Sequence, residues 1–267
     1  MSSREEAAPL PSARGNEALR IEVLALEGLP EVSECDDLGA LLAHAAPRDL
    51  GDGDLLVVAH KVVSKSEGRV RALAAVKPTA RARELAEPHG KDPRMVQVVL
   101  DESAEVLRAE RGVIVSRTHH GMVCANAGVD ASNAARPEQV ILLPEDPDAS
   151  ARALRRSIAA LRGVRPAVLL TDSFGRVWRL GQVDVAIGVA GLTPLDDWRG
   201  RADARGRALG ATVIAVADAA AAAADLARAK DSAEPAVLVR GLGRYVSVED
   251  GRGADALRRA PEEDLFL

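Results

Sequence analysis

The sequence predicts a mixed α+β fold, with mixed sheets and interleaved helices, and three observations lead there. Short runs rich in Val, Leu and Ile, bounded by Gly, Asp and Pro, recur along the chain as buried strands do. Stretches of helical period lie between them. The interior holds no Ser/Gly linker and no repeat of fixed period that would divide the 267 residues into independent units. With 47% apolar residues, the chain is long enough to bury a sizeable core. One domain over residues 18–267 is expected, with room for two subdomains, preceded by a mobile tail at residues 1–17.

Taken in order, residues 21–26 (IEVLAL) read as the first strand and residues 36–46 as a helix. Residues 55–63 (LLVVAHKVV) read as one long buried strand, and residues 93–108 as a helix. Two short strands follow at 113–115 and 140–143. A helix at 149–161 is expected to start from Asp148 as N-cap and to stop at Gly163. Strands at 167–170, 212–216 and 236–239 flank a last helix at 218–229. The stretch 211–229 is the nearest thing to a membrane span, but Asp218 and Asp225 interrupt it and Ala is weakly apolar, so it cannot cross a bilayer unaided.

Composition excludes several function classes. Only five residues are aromatic (Phe174, Trp178, Trp198, Tyr245 and Phe266), which weighs against binding single-stranded nucleic acid by stacking. A net charge of -5 supplies no global basic field for a polyanion. Cys35 and Cys124 have neither metal-site nor disulfide-framework spacing, so reduced thiols and a cytoplasmic location are the expectation. There is no GxxxxGK[ST] phosphate loop and no GxSxG elbow. The loose GxGxxA match at Gly251, Gly253 and Ala256 lies too near the end of the sequence to open a Rossmann unit.

Two regions carry chemistry. In DLLVVAHKVVSKSEGR (residues 54–69) an apolar run ends in His60, Lys61, Ser64, Lys65, Ser66 and Arg69. Cations and hydroxyls at a strand end can receive a phosphate or a carboxylate. If the strand continued, Lys61 and Lys65 would share one face. The plain alternative is a solvated strand end with two surface lysines. The second region comprises THHGMVCANAGVDASN (118–133) and TDSFGRVWRLGQVD (171–184). Asp130 and Asp172, each with hydroxyl or amide neighbours, would suit Mg²⁺ or Mn²⁺ if two such loops met, with Arg176 and Arg179 left to neutralise a polyphosphate. Asp in a turn or cap is the competing explanation for both. His119 and His120, adjacent in sequence, would point to opposite faces of an extended chain and cannot both reach one site.

Read together, GLPEV (28–32), VVAHKVVSKSEGR (57–69), ANAGVDASN (125–133), LLPEDPDASA (142–151), TDSFGRVWRLGQVDVAIGVAG (171–191) and VADAAAAAADL (216–226) resemble the coenzyme F420-0:L-glutamate ligase family, in order across nearly the whole chain. The resemblance implies a GTP-dependent ligase that joins L-glutamate to the phospholactyl carboxylate of coenzyme F420-0 and extends it through γ-glutamyl linkages. It implies an intertwined homodimer and a requirement for Mg²⁺ or Mn²⁺, with two ions and a helping K⁺. It carries GTP contacts onto Leu29, Pro30, Glu31, Val32, His60, Lys65 and Asn133. Asp130, Asp172 and Ser173 become metal ligands, and Lys65 and Arg176 become the cations that spread the transferring charge. Leu180, Val183 and Ala219 depart from the family pattern and bear on acceptor preference and on the number of glutamates added. The same Asp and Lys groups would also serve a metal-dependent phosphohydrolase or nucleotidyl transferase, or a non-catalytic GTP-binding homologue. Three of the five aromatics lie between Thr171 and Gly200, which raises the expectation that Phe174 or Trp178 walls the site.

Overall fold

A computed structural model describes residues 20–229 and 231–264. The tail expected at residues 1–17 lies outside them. In chain order the strands and helices are β1 (Glu22–Ala25), α1 (Leu38–Ala45), β2 (Leu55–Ala59), α2 (His60–Ser66), β3 (Val70–Ala72), α3 (Ala80–Ala86), α4 (Pro93–Asp101), β4 (Ser103–Glu110), β5 (Val113–Thr118), β6 (Val123–Ala125) and β7 (Gln139–Ile141). They continue with α5 (Pro147–Arg162), β8 (Ala167–Arg176), β9 (Arg179–Ala190), β10 (Leu195–Asp197), β11 (Val213–Ala215), α6 (Val216–Leu226) and β12 (Ala236–Arg240). The fold is mixed α+β, and no sheet among the described residues closes into a barrel.

A five-stranded sheet in the order β1-β12-β2-β8-β9 forms the frame. β2 and β8 run parallel at its centre, and the other pairs are antiparallel. The period-2 geometry of a strand explains why β2 is apolar throughout. Leu56 and Val58 face a core shared with Leu42 of α1 and Ile158 of α5. Leu55 and Val57 face a second core shared with Ala217, Ala221 and Ala224 of α6. The Ala run of α6 is therefore a thin helix laid close against the sheet. A third core gathers Val96 and Val99 of α4, Ile114 of β5 and Val140 of β7, and it supports the smaller β3-β7 and β4-β5-β6 sheets.

Four expectations are corrected. The run 55–63 is not one strand: pairing with β12 and β8 ends at Ala59, and α2 begins at His60. Val62 and Val63 enter the first core from that helix, so packing outweighs their β-branched preference. The helix expected over 93–108 stops at Asp101, and the following residues pair with β5 as β4. Cross-strand partners satisfy that segment, and local periodicity cannot register them. Asp146, not Asp148, caps α5 by accepting from Ala149 N at 2.8 Å. Asp148 instead accepts from Val189 N at 2.7 Å and Ala254 N at 2.8 Å, tying α5 to β9 and to the C-terminal segment. Finally, 171–184 is not a loop but the outer part of the β8–β9 hairpin. Gly163 ends α5 as expected, at φ 70° with its N–H on Ala159 O. No helix among the described residues is long and apolar enough to cross a membrane.

Candidate active site

The parallel pair β2 and β8 delivers two chemically rich segments to the same end of the sheet. β2 runs into α2, placing His60, Lys61 and Lys65 there, and β8 continues into Asp172 and Ser173. A cavity of about 550 Å³ opens between them. Leu29, Pro30, Glu31, His60, Lys61, Lys65, Asn133, Asp172 and Ser173 contribute to its lining, with Thr171, Asp184 and Arg228 alongside.

Lys61 and Lys65 share a face because they stand four apart on a helix, not two steps apart on a strand. Their ammonium groups then diverge. Lys65 Nζ, nearly buried, donates to Glu31 Oε1 at 2.5 Å. Lys61 Nζ donates to Asp130 Oδ2 and to Ser132 Oγ, both at 2.6 Å. Asp130 also accepts from Ser132 N at 2.7 Å. Burial by itself would raise the Asp130 carboxyl, but Lys61 and Ser132 outweigh it and hold the group below the usual carboxylate range.

On β8 the hydroxyls of Thr171 and Ser173 donate to Asp184 of β9, at 2.8 and 2.7 Å. Asp184 is 2% exposed and also accepts from the Arg228 guanidinium, so its charge is balanced inside the protein. Asp172 stands apart from this network. Its Oδ1 accepts from Ser173 N at 2.8 Å and lies 3.3 Å from His60 Nε2. His60 places its other ring nitrogen 3.3 Å from Ser64 Oγ within α2.

Most of the residues expected at the site are brought together: Leu29, Pro30, Glu31, His60, Lys65, Asn133, Asp172 and Ser173 all border the cavity. Val32 turns into the first core instead. Asp130 sits behind Lys61 rather than on the lining. Arg176 is not brought to the cavity within the chain: it lies at the outer end of the β8–β9 hairpin, where its guanidinium bonds Leu180 O. Neither Phe174 nor Trp178 is on the cavity lining within the chain. Phe174 packs against the first core, and Trp178, 82% exposed at φ 59°, sits at the hairpin tip. His119 and His120 diverge as expected, donating to Asp101 O and Pro144 O. Sequence reasoning missed Asp184 and Arg228. Asp184 lay inside a quoted motif, and its partnership with two hydroxyls became visible only once β9 was in register. Arg228 carried no local sign of a role.

Among the described residues, no group of three or more His, Cys, Asp and Glu side chains already stands as a metal cluster. The donors that border the cavity nevertheless fit a hard divalent cation, because Asp172 and Ser173 offer oxygen and leave room for water or phosphate. His60 Nε2, sealed from solvent without a hydrogen-bond partner, also faces Asp172.

The two cysteines differ in reactivity as a result of this architecture. Cys124 of β6 is buried, and burial followed by the nearby Asp172 charge pushes its thiol up to about 12. Cys35 is exposed. Alkylation of the native protein at pH 8 is expected to modify Cys35 alone, with Cys124 reacting only after denaturation. Mass mapping of the labelled peptides checks this, and rapid native labelling of Cys124 would contradict the burial seen here.

Comparison with known proteins adds a second line of support. A family model described as F420-0:Gamma-glutamyl ligase matches residues 28–241. The coenzyme F420:L-glutamate ligase of Methanopyrus kandleri is 46% identical over 254 residues, covering 94% of this chain and 99% of that relative. Its counterparts from Methanothermobacter thermautotrophicus and Haloarcula marismortui are 43% and 44% identical, each covering 92% of this chain and 98% and 95% of their own lengths.

Proposed function

The chain belongs to the F420-0:gamma-glutamyl ligase family, and from that membership we propose that it is a GTP-dependent ligase of coenzyme F420 biosynthesis. In this reading it attaches L-glutamate to the phospholactyl carboxylate of coenzyme F420-0 and extends the product through γ-glutamyl linkages. The observation that carries the reading is the convergence of four distant segments on one cavity: Leu29–Glu31, the start of α2, Asn133, and Asp172–Ser173.

The chemistry follows from what each group can do. A carboxylate is a poor electrophile at neutral pH, so it must first be activated. The acceptor carboxylate attacks the γ-phosphorus of GTP, releasing GDP and leaving an acyl phosphate. The glutamate amine then attacks the acyl carbon, phosphate departs, and the amide remains. Leu29, Pro30 and Glu31 would shape the nucleotide pocket together with Val32 behind them, His60 and Asn133. Lys65 enters with its ammonium nearly desolvated and held by Glu31, and by exchanging toward phosphate oxygens it would offset the charge of the transferring group. Arg176, the other cation proposed for that role, bonds Leu180 O at the outer end of the β8–β9 hairpin.

Asp172 and Ser173 would hold Mg²⁺ or Mn²⁺, with Asp130 joining once Lys61 changes partner, and K⁺ assisting. Such ions, two in this reading, neutralise polyphosphate charge when bound. Asp184 fixes the Ser173 hydroxyl by accepting a hydrogen bond from it, which leaves the oxygen lone pairs available. An intertwined cytoplasmic homodimer completes the proposal. The exposed apolar side chains Val177, Trp178 and Leu180 at the hairpin tip support a partner surface there.

Incubation with coenzyme F420-0, L-glutamate, Mn²⁺ and either GTP or ATP, followed by mass spectrometry, tests the reading. The expected result is a glutamylated deazaflavin product formed together with GDP and phosphate. Phosphate release without that product would point to a hydrolase. Nucleotide-dependent thermal stabilisation without turnover would point to a binding protein.

A further inference from the structure

We propose that His60 is a nitrogen ligand of the divalent-cation site at Asp172, and that it biases this chain toward Mn²⁺, Co²⁺ and Zn²⁺ relative to Mg²⁺. The inference rests on the reading above that Asp172 and Ser173 hold a divalent cation.

The imidazole is 1% exposed and fixed at the first position of α2. Its Nδ1 lies 3.3 Å from Ser64 Oγ, one helical turn along. With the proton on Nδ1 and donated to that hydroxyl, Nε2 carries the lone pair. Nε2 is sealed from solvent and makes no hydrogen bond, although Asp172 Oδ1 is only 3.3 Å away. A buried ring nitrogen left unpaired is costly, and the carboxylate it faces is the one already assigned to the cation.

The separation suits two ligands of one ion better than it suits a hydrogen bond. Ligand atoms about 2.1 Å from a common ion stand about 3.0 Å apart at a right angle and about 3.4 Å apart at the tetrahedral angle. The observed 3.3 Å falls between these limits. Ser173 N holds Asp172 Oδ1 on one side and Ser64 holds the imidazole on the other, so both donors are oriented by outer partners. An imidazole donor favours Mn²⁺ and the later first-row ions, whereas Mg²⁺ prefers an all-oxygen shell. His60 can still meet nucleotide through its main chain, since its side chain is engaged below the cavity surface.

The test uses the full chain loaded with Mn²⁺ and electron spin-echo spectroscopy, which detects directly bound ¹⁴N. Wild type is expected to show imidazole nitrogen modulation, and His60→Gln is expected to lose it. Titration calorimetry should give at least a tenfold weaker Mn²⁺ and Zn²⁺ affinity in His60→Gln, about the lower bound for disturbing a liganding histidine, with the Mg²⁺ affinity changed by less than about threefold. Bound Mn²⁺ without nitrogen coupling in wild type overturns the inference while leaving the cation site intact. Nitrogen coupling that survives in His60→Gln assigns it to another histidine and overturns the inference too. Wild type that binds no Mn²⁺, behaving as Asp172→Asn does, defeats the cation reading itself. If His60→Gln fails to give a native circular dichroism spectrum, His60→Asn replaces it, and the wild-type spectrum still decides the matter.

Discussion

Asp172→Asn is expected to lower the rate of glutamate ligation by about 10²–10³-fold, the usual cost of removing one preorganised electrostatic group from a reacting centre. The substitution is nearly isosteric. The amide oxygen can keep the hydrogen bond from Ser173 N, while the negative charge facing the cavity is lost. Stability is expected to stay within about 1 kcal/mol of wild type, because among the described residues Asp172 makes no ion pair with Lys or Arg whose loss would strand a buried cation. Rates should be compared at saturating GTP over a range of Mn²⁺ concentrations. A variant that keeps wild-type turnover at every concentration would remove Asp172 from the mechanism.

Arg155→Met is expected to cost about 3 kcal/mol of folding stability, the lower end of the range for breaking a buried pair. Arg155 of α5 is 1% exposed and serves as the knot between that helix and the C-terminal segment. Its guanidinium donates to Pro166 O at 3.0 Å, to Val248 O at 3.2 Å, to Ser247 O, and to Asp250 Oδ1 at 2.7 Å. Met fills a similar length of space but leaves those carbonyl oxygens without their donor. The lower end applies because Asp250 is 23% exposed and retains Arg165 at 3.2 Å. Gly191 records the tightness of the packing: at φ 74°, an added Cβ would lie 2.1 Å from Arg155 Cζ. Urea unfolding measures the loss. Ligation per folded molecule should be unchanged, since none of these groups borders the cavity. A loss below 1 kcal/mol would mean that water replaces the guanidinium freely.

Local pattern was enough for the interior of the fold. The apolar runs that became β2, β8 and β12 are buried on both faces, so they read as continuous aliphatic segments, and the Gly163 stop follows from its left-handed conformation. Pattern failed where the partner was remote. His60–Ser66 looks like a strand because its valines are β-branched, yet pairing with β12 and β8 ends by Ala59 and the first core receives Val62 and Val63 from a helix. Residues 103–110 look helical by continuity with α4 and instead pair with β5.

The candidate site divides along the same line. Interleaved apolar runs and helical stretches determined the mixed α+β class, and six ordered motifs the family, together with eight residues that border the cavity: Leu29, Pro30, Glu31, His60, Lys65, Asn133, Asp172 and Ser173. Those features reside in residue type and short-range order, which a linear chain already contains. Tertiary structure alone decided that Lys61 answers Asp130 across 69 positions, that Lys65 answers Glu31 across 34, that Asp184 and Arg228 balance each other beneath two hydroxyls, and that Arg176 lies away from the cavity. The physical reason is distance: hydrogen bonds and ion pairs act over a few ångströms, and only the register of β8 with β9 and the turn from β2 into α2 bring these atoms within that range.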